Sequence, residues 1–335
     1  MFVEQTDGEI TSQPINQTST MYPVAVNEVI PTTQRNGWRL FLTLATGQWM
    51  PGIAWKNPAY RRKFVLRSLA NPLATARLLG DLSHQPYLEK LLAVQPGLPC
   101  RAHRPYLTAN FNRKDAVNAL SFHYHTLTQA LPEHLLQQHY SARGARLATI
   151  TGKDENFYHL DLCAIAFADK EGEATITLSR DDGIALAGLT FTLCQQNGKP
   201  TLFIGGLQGA KSDIPHEYIQ TATKACHGLF PKRLVLEAAC LLAHHLGVSQ
   251  ILAVSNGAHI YSSWRYAKKK KDKIHADYDS FWESMSGELT PAGFYQLPLN
   301  MLRKPIEEIA SKKRAEYRRR YTLLDEMMAQ IDQQL

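Results

Sequence analysis

Two histidines stand where acid–base chemistry would be expected. His227 lies in the run Cys226-His227-Gly228-Leu229-Phe230-Pro231, ahead of an apolar stretch, and His259 follows Ser255-Asn256 after a short apolar run. Imidazole titrates near neutral pH, so either ring could take a proton from an attacking amine or hydroxyl; each could equally be a hydrogen-bonded structural histidine. Ser255 and Asn256 place a hydroxyl and an amide beside His259, able to orient a polar group. Ser255 lacks the Gly-x-Ser-x-Gly elbow of a hydrolase nucleophile. Asp279 and Glu283 are four residues apart, which sets both carboxylates on one face of a helix. Phe281 and Trp282 lie between them, and a carboxylate against aromatic surface is raised in pKa and can act as acid or base. Pairing with the basic run 268–273, or capping a helix, is the competing role for these carboxylates. Lys232 and Arg233 open the apolar stretch after Pro231, where the unpaired N–H groups of a helix start attract phosphate. His244 and His245 are adjacent and cannot share a helix face. No His/Cys/Asp spacing matches a metal site.

A sheet has to hold these groups. Segments 146–150, 157–167, 174–179, 184–193 and 201–205 are rich in β-branched and aromatic residues. Between them stand turn sequences: Lys153-Asp154-Glu155-Asn156, Asp169-Lys170-Glu171-Gly172, Asp181-Asp182-Gly183 and Asn197-Gly198. Connections this short predict antiparallel neighbours. A polar loop is expected after 205, then a helix over 231–246. Pro231 suits its first position, the run 234–243 is apolar on nearly every face, and Gly247 ends it. A buried strand, 251–254, follows. Strand, crossover helix and strand make a parallel pair. The expected fold is therefore α+β, on a mixed β-sheet built from an antiparallel meander plus one parallel βαβ crossover. Ligands bind such sheets beyond the C-terminal ends of the strands, which is where Ser255, Asn256 and His259 fall.

The rest of the chain divides by composition. Residues 1–33 are rich in Thr, Gln, Asn and Pro and predict a disordered tail. Residues 34–98 are helical in pattern: Leu40, Phe41 and Leu44 form an apolar face, continued by Phe64, Leu66, Leu69, Leu73, Leu78 and Leu79 around a break at Asn71-Pro72. Pro96-Gly97 and Pro99 mark a boundary. Residues 99–299 form the α+β core, with a helix over 113–131 and a last strand over 293–298. Residues 300–335 make a basic C-terminal helix with Tyr317, Tyr321, Leu324, Met328 and Ile331 on one stripe.

The chain has 335 residues, 44% hydrophobic, with a net charge of +7. From 268 to 320 there are 13 Lys+Arg against 8 Asp+Glu, so that span carries +5. Such an excess suits an anionic partner, whether phosphorylated cofactor, lipid headgroup or nucleic acid; solvated helix faces would also account for it. No nucleic-acid-binding fold signature accompanies it. Lys312-Lys313-Arg314 and Arg318-Arg319-Arg320 flank Tyr317 and Tyr321, as in basic helices that dock on an anionic inner-membrane surface. The five cysteines are scattered, without a Cys-x-x-Cys pair, and read as reduced core residues in a cytoplasmic protein. No apolar run approaches the roughly 20 residues that span a bilayer, and the first thirty residues hold no apolar signal core.

Taken in order, Gly205-Gly206-Leu207-Gln208-Gly209, Ala222-Thr223-Lys224 with His227-Gly228-Leu229-Phe230-Pro231-Lys232, Ala253-Val254-Ser255-Asn256, Tyr278-Asp279-x-Phe281-Trp282-Glu283 and Ser311-Lys312-Lys313-Arg314-x-x-Tyr317 resemble the VirK/YbjX family of bacterial virulence and envelope-stress proteins. The resemblance runs from about Arg104 to the C-terminus. It implies a cytoplasmic protein that affects outer-membrane properties and antimicrobial-peptide resistance. More loosely, the order of meander, strand, loop, helix, strand and Asn-x-x-x-x-Tyr is similar to a GNAT-type acyltransferase core. That likeness implies acyl-coenzyme A at the helix start, held by Lys224, Gly228, Lys232 and Arg233. His227 or His259 would then be the base, with Ser255 and Asn256 orienting the acyl group. His227-Gly228-Leu229-Phe230-Pro231 stands where such proteins carry a glycine-rich loop. The alternative, from a different class, is a non-catalytic binding or chaperone-like protein for a small molecule, lipid, peptide or outer-membrane client protein.

Overall fold

The computed structural model describes residues 36–164, 168–263 and 277–335. The expected tail and the basic run 268–273 lie outside the described residues. The meander forms as the turn chemistry requires: β1 (Ala145–Thr151), β2 (Phe157–Cys163), β3 (Ala174–Arg180), β4 (Ala185–Gln196) and β5 (Lys199–Gly209) pair antiparallel in sequence order. Asn197 and Gly198 both take positive φ (52° and 76°), the two-residue turn whose twist matches a hairpin. Next, β5 pairs parallel with β6 (Gln250–Val254), and β6 pairs antiparallel with β8 (Phe294–Leu297), which carries the short β7 (Glu288–Leu289) at the edge. The result is an eight-stranded mixed sheet in the order β1-β2-β3-β4-β5-β6-β8-β7. The α+β expectation with a single parallel crossover holds.

Helices cover both faces, since β4 is buried at every position from Leu186 to Cys194. The N-terminal segment supplies α1 (Gly37–Thr46), α2 (Ile53–Lys56), α3 (Pro58–Leu69), α4 (Pro72–Ser83) and α5 (Leu88–Val94). After a 3-10 turn at Leu98–His103 come α6 (Arg113–Ala130) and α7 (Glu133–His139), and α6 packs on β4. Asn112 and Asp115 close α6 with a reciprocal capping box. The crossover contains α8 (His216–Ala225) and α9 (Pro231–His245), and the end of the chain forms α10 (Tyr278–Ser284) and α11 (Ser311–Gln334). Leu44, Trp55 and Leu78 of the N-terminal helices belong to the same buried cluster as Leu193 and Ile204 of the sheet.

Four expectations are corrected. The strand expected over 157–167 ends at Cys163, and 165–167 lie outside the described residues. The polar loop expected after 205 is instead the rest of β5 and then α8, whose mixed polar sequence hides a helix one turn deep in the core through Ala222 and Ala225. In α3 and α4 the apolar face splits. Phe64, Leu78 and Leu79 are buried, but Leu66, Leu69 and Leu73 point to solvent, because Phe64 and Ser68, four apart, fix the inward side of α3. In α11 the buried set is Leu323, Leu324, Met327 and Ile331; Tyr317, Tyr321 and Met328 are only half-buried.

Candidate functional site

The site grows from the seam between β5 and β6. Their parallel register runs from Thr201↔Gln250 to Ile204↔Ala253 and stops, while β5 continues to Gly209 alongside β4. Strands that separate in this way leave backbone groups without a ladder partner. Here α10 enters the gap and takes them. The Tyr278 hydroxyl accepts the Leu207 amide at 3.4 Å, and the Trp282 indole Nε1 donates to the Val254 carbonyl at 2.9 Å. One helix thus satisfies both diverging strands.

Asn256 fixes the entry of that helix. Its Oδ1 accepts the Tyr278 amide (2.9 Å), its Nδ2 donates to Asp277 (3.1 Å), and its own amide donates to Asp279 Oδ1 (2.8 Å). Ser255 Oγ donates to the Gly293 carbonyl (2.7 Å) and accepts the Ala258 amide (3.2 Å). Glu283 accepts the Tyr295 hydroxyl (2.9 Å). The sequence places Ser255, Asn256, Asp279 and Glu283 as candidate catalytic groups; in the structure each is joined to a neighbouring element by these bonds.

Around His259 a buried polar set assembles. The ring stacks on Tyr278 with centroids 5.2 Å apart and planes at 20°, and its Nδ1 accepts the Tyr261 amide at 3.4 Å. The other ring nitrogen, Nε2, faces Glu171 Oε1 at 3.5 Å without a hydrogen bond. Gln208 Nε2 reaches both oxygens of the same carboxylate, at 3.5 and 3.3 Å, and the Tyr278 hydroxyl at 3.4 Å. Burial, and then the Glu171 charge, push the Tyr278 phenol above its ordinary range, so it stays protonated. Both His259 and Tyr278 are buried.

Glu171, Gln208 and Tyr278 were not among the candidates from sequence. Glu171 sits in an Asp-Lys-Glu-Gly turn, where carboxylates normally face water. Its main chain and carboxylate instead lie across Gly205 and Gly206, where any Cβ would overlap them. A glycine pair inside an apolar strand marks such a close approach, and that was the available signal. The turn is pinned from below. Arg101, fully buried, pairs with Glu173 (2.9 Å) and Asp169 (2.8 Å), and the Tyr124 hydroxyl donates to Glu173 at 2.5 Å. Arg104 also pairs with Asp169.

The other candidates lie apart from this set. His227 has a positive φ of 53°, its carbonyl accepts Arg320 Nε at 2.9 Å, and burial with Arg319 and Lys153 nearby lowers its pKa. The Arg320 guanidinium occupies the space beside Gly228 where a side chain would go. Lys224 is exposed in the last turn of α8. Arg233 forks onto buried Glu237 (2.9 and 2.8 Å) and reaches Met285 Sδ (3.0 Å), which removes it from the open helix start. Lys232 lies 5.9 Å over the Phe281 ring, and its burial lowers its pKa. Phe281 in turn meets Phe230 edge to face at 6.1 Å, so α10 stands between His259 and the start of α9.

Elsewhere, α4, α6 and the β4–β5 turn enclose an open groove of about 910 Å³. Its lining is polar: the amides of Gln85, Asn118, Gln129, Gln195 and Gln196 and the hydroxyl of Thr128 stand beside charged Arg77, Asp81 and Asp115 and the imidazoles of His84 and His125.

Residues 54–333 match the family described as protein of unknown function (DUF535), and the chain belongs to it. It is 51% identical over 301 residues to the uncharacterized protein YbjX of Escherichia coli, which covers 90% of this chain and 91% of that protein. Two uncharacterized proteins of Haemophilus influenzae are 33% identical over 163 residues and 34% over 134, covering 49% and 40% of this chain and 53% and 44% of their own. The expected VirK/YbjX kinship is borne out. Among the described residues, no helix is long and apolar enough to cross a membrane.

Proposed function

We propose that this chain is a non-catalytic binding protein that holds an extended polypeptide segment in the groove between α4, α6 and the β4–β5 turn. One observation carries the choice against acyl transfer. An acyltransferase reading needs a cleft from His259 or His227 to the start of α9; on the His259 side, Tyr278 stacks on the His259 ring and Phe281 of the same helix packs on Phe230 at the start of α9. His259 is buried, with its Nδ1 taken by the Tyr261 amide, and Arg233, expected to face a phosphate, is spent on Glu237. The groove suits a peptide because its Gln, Asn and Thr side chains both donate and accept, as an extended backbone demands. The envelope-stress role implied by kinship with VirK/YbjX proteins is the setting we propose, with an outer-membrane protein segment as client.

The test is titration calorimetry of the full chain with acetyl- and palmitoyl-coenzyme A, run beside mass spectrometry of ligands that co-purify. The expected result is no heat with either thioester, and a co-purifying polypeptide whose recovery falls in Asn118→Ala/Gln129→Ala. A saturable heat that disappears in Lys232→Ala would restore the acyltransferase reading and end this one.

A further inference from the structure

We infer that the corner between α3 and α4 is a docking surface for an anionic phospholipid bilayer. Residues 36–80 contain seven Lys or Arg and no Asp or Glu. Among the exposed large apolar side chains of that stretch, which include Trp38 and Ile53, three leucines cluster in sequence at the α3–α4 corner: Leu66 is 66% exposed, Leu69 69% and Leu73 87%. Large aliphatic side chains left this open in one place require a reason. Leu66 and Leu69 are three apart and share a face of α3, and Leu73 follows four residues later in the first turn of α4. Arg62, one turn before Leu66, and the pair Lys63 and Arg67 are exposed beside them. These three cations make no ion pair among the described residues, whereas Arg61 is tied to the Trp55 carbonyl at 2.6 Å.

The combination selects the partner. A leucine exposed over four-fifths of its surface protrudes and cannot line a recess for a small ligand. Protein hot spots favour Trp, Tyr and Arg over Leu, and single-stranded nucleic acid asks for aromatic faces on which bases stack. Protruding aliphatic groups ringed by Lys and Arg, with no carboxylate to repel a phosphate, instead match the boundary between headgroups and acyl chains. The leucines enter the acyl boundary while the cations meet the phosphates. The surface is distinct from the groove and from the basic clusters of α11, and it does not rest on client binding.

Vesicle sedimentation with the full chain tests it, using phosphatidylglycerol and phosphatidylcholine in equal parts against phosphatidylcholine alone. The parent is expected to pellet only with the anionic vesicles, and less as salt rises from ~0.05 to ~0.5 M. Arg62→Ala/Lys63→Ala/Arg67→Ala should weaken binding about a hundredfold at low salt. Leu66→Ser/Leu69→Ser/Leu73→Ser should weaken it about tenfold or more, and both variants should melt with the parent because the side chains are solvated. Absence of parent binding at low salt overturns the inference. So does a leucine variant that pellets like the parent, or loss of binding in Lys312→Ala/Lys313→Ala/Arg318→Ala/Arg319→Ala while both corner variants keep it. A leucine-dependent dimer that ignores vesicles would assign the corner to a second copy of the chain.

Discussion

A carboxylate that leaves water needs donors close by, and Glu171 finds one in the Gln208 amide, with the His259 ring nearby. It can reach them only because Gly205 and Gly206 have no side chains. Gly206→Ala should therefore be costly, since a methyl there overlaps the Glu171 carboxylate and has to displace it. We expect a loss of about 2 kcal/mol, the usual scale of overpacking in a tight interior, read as a lower midpoint in thermal unfolding. Gly80→Ala is the matched control: it lies in α4 with open space where the Cβ would stand, and it should be neutral or stabilising. If the two variants melted alike, the close approach of Glu171 would not be shaping the strand. This residue also marks a limit of reading sequence. Turn chemistry locates 169–172 in the chain but says nothing about which strand the turn folds back onto.

At the scale of the element, α11 shows why a stripe is not a contact. The run of Arg318, Arg319 and Arg320 reads as one solvated cluster, yet the structure separates its members. Arg318 and Arg319 are exposed, whereas Arg320 caps the His227 carbonyl and covers the Tyr317 ring at 4.3 Å. Arg320→Ala should cost about 1–2 kcal/mol through the lost hydrogen bond and ring contact. Arg318→Ala/Arg319→Ala should leave the unfolding midpoint in place. Equal stability of Arg320→Ala and the double variant in urea titrations would refute this division of labour. Period alone could not supply it, because only the second half of α11 packs on the sheet and the first half is held by individual bonds such as Arg314 Nε to the Ile309 carbonyl at 2.9 Å. By contrast, α9 was legible to within a residue, since Pro231, an apolar interior and Gly247 all state the same boundaries.

Across the whole molecule, local chemistry determined what was readable. Each hairpin of the meander has its own turn signal, and each strand was found within a few residues. The parallel step was readable because a buried helix between two apolar strands permits little else. The wedge at the seam was not readable, because Tyr278 and Trp282 act at positions some 70 and 28 residues away in sequence, Leu207 and Val254. The exposed corner of α3 and α4 was hidden for the opposite reason. Its leucines carry the composition of a core, and only the orientation set by Phe64 and Ser68 reveals that they face outward.

The seam has a consequence for how the molecule opens. Four residue pairs join β5 to β6, against ten between β4 and β5. Beyond those four pairs, the two parts of the sheet are joined by side-chain contacts, among them the Phe203–Phe294 ring pair, the Gln250 bond to Thr201 and, at the open end of the seam, the aromatic side chains of α10. Cooperative opening follows such narrow junctions. The strands β6, β7 and β8 should therefore exchange their amide protons as one unit, at a lower free energy than β2, β3 and β4. In Trp282→Phe, which keeps the packing but drops the bond to Val254, exchange in 251–254 should accelerate while the meander is unchanged. Uniform protection across all eight strands would mean that the sheet breathes as a single body. On the expected result, α10 acts as a keystone, and the two parts of the molecule come apart where it is seated.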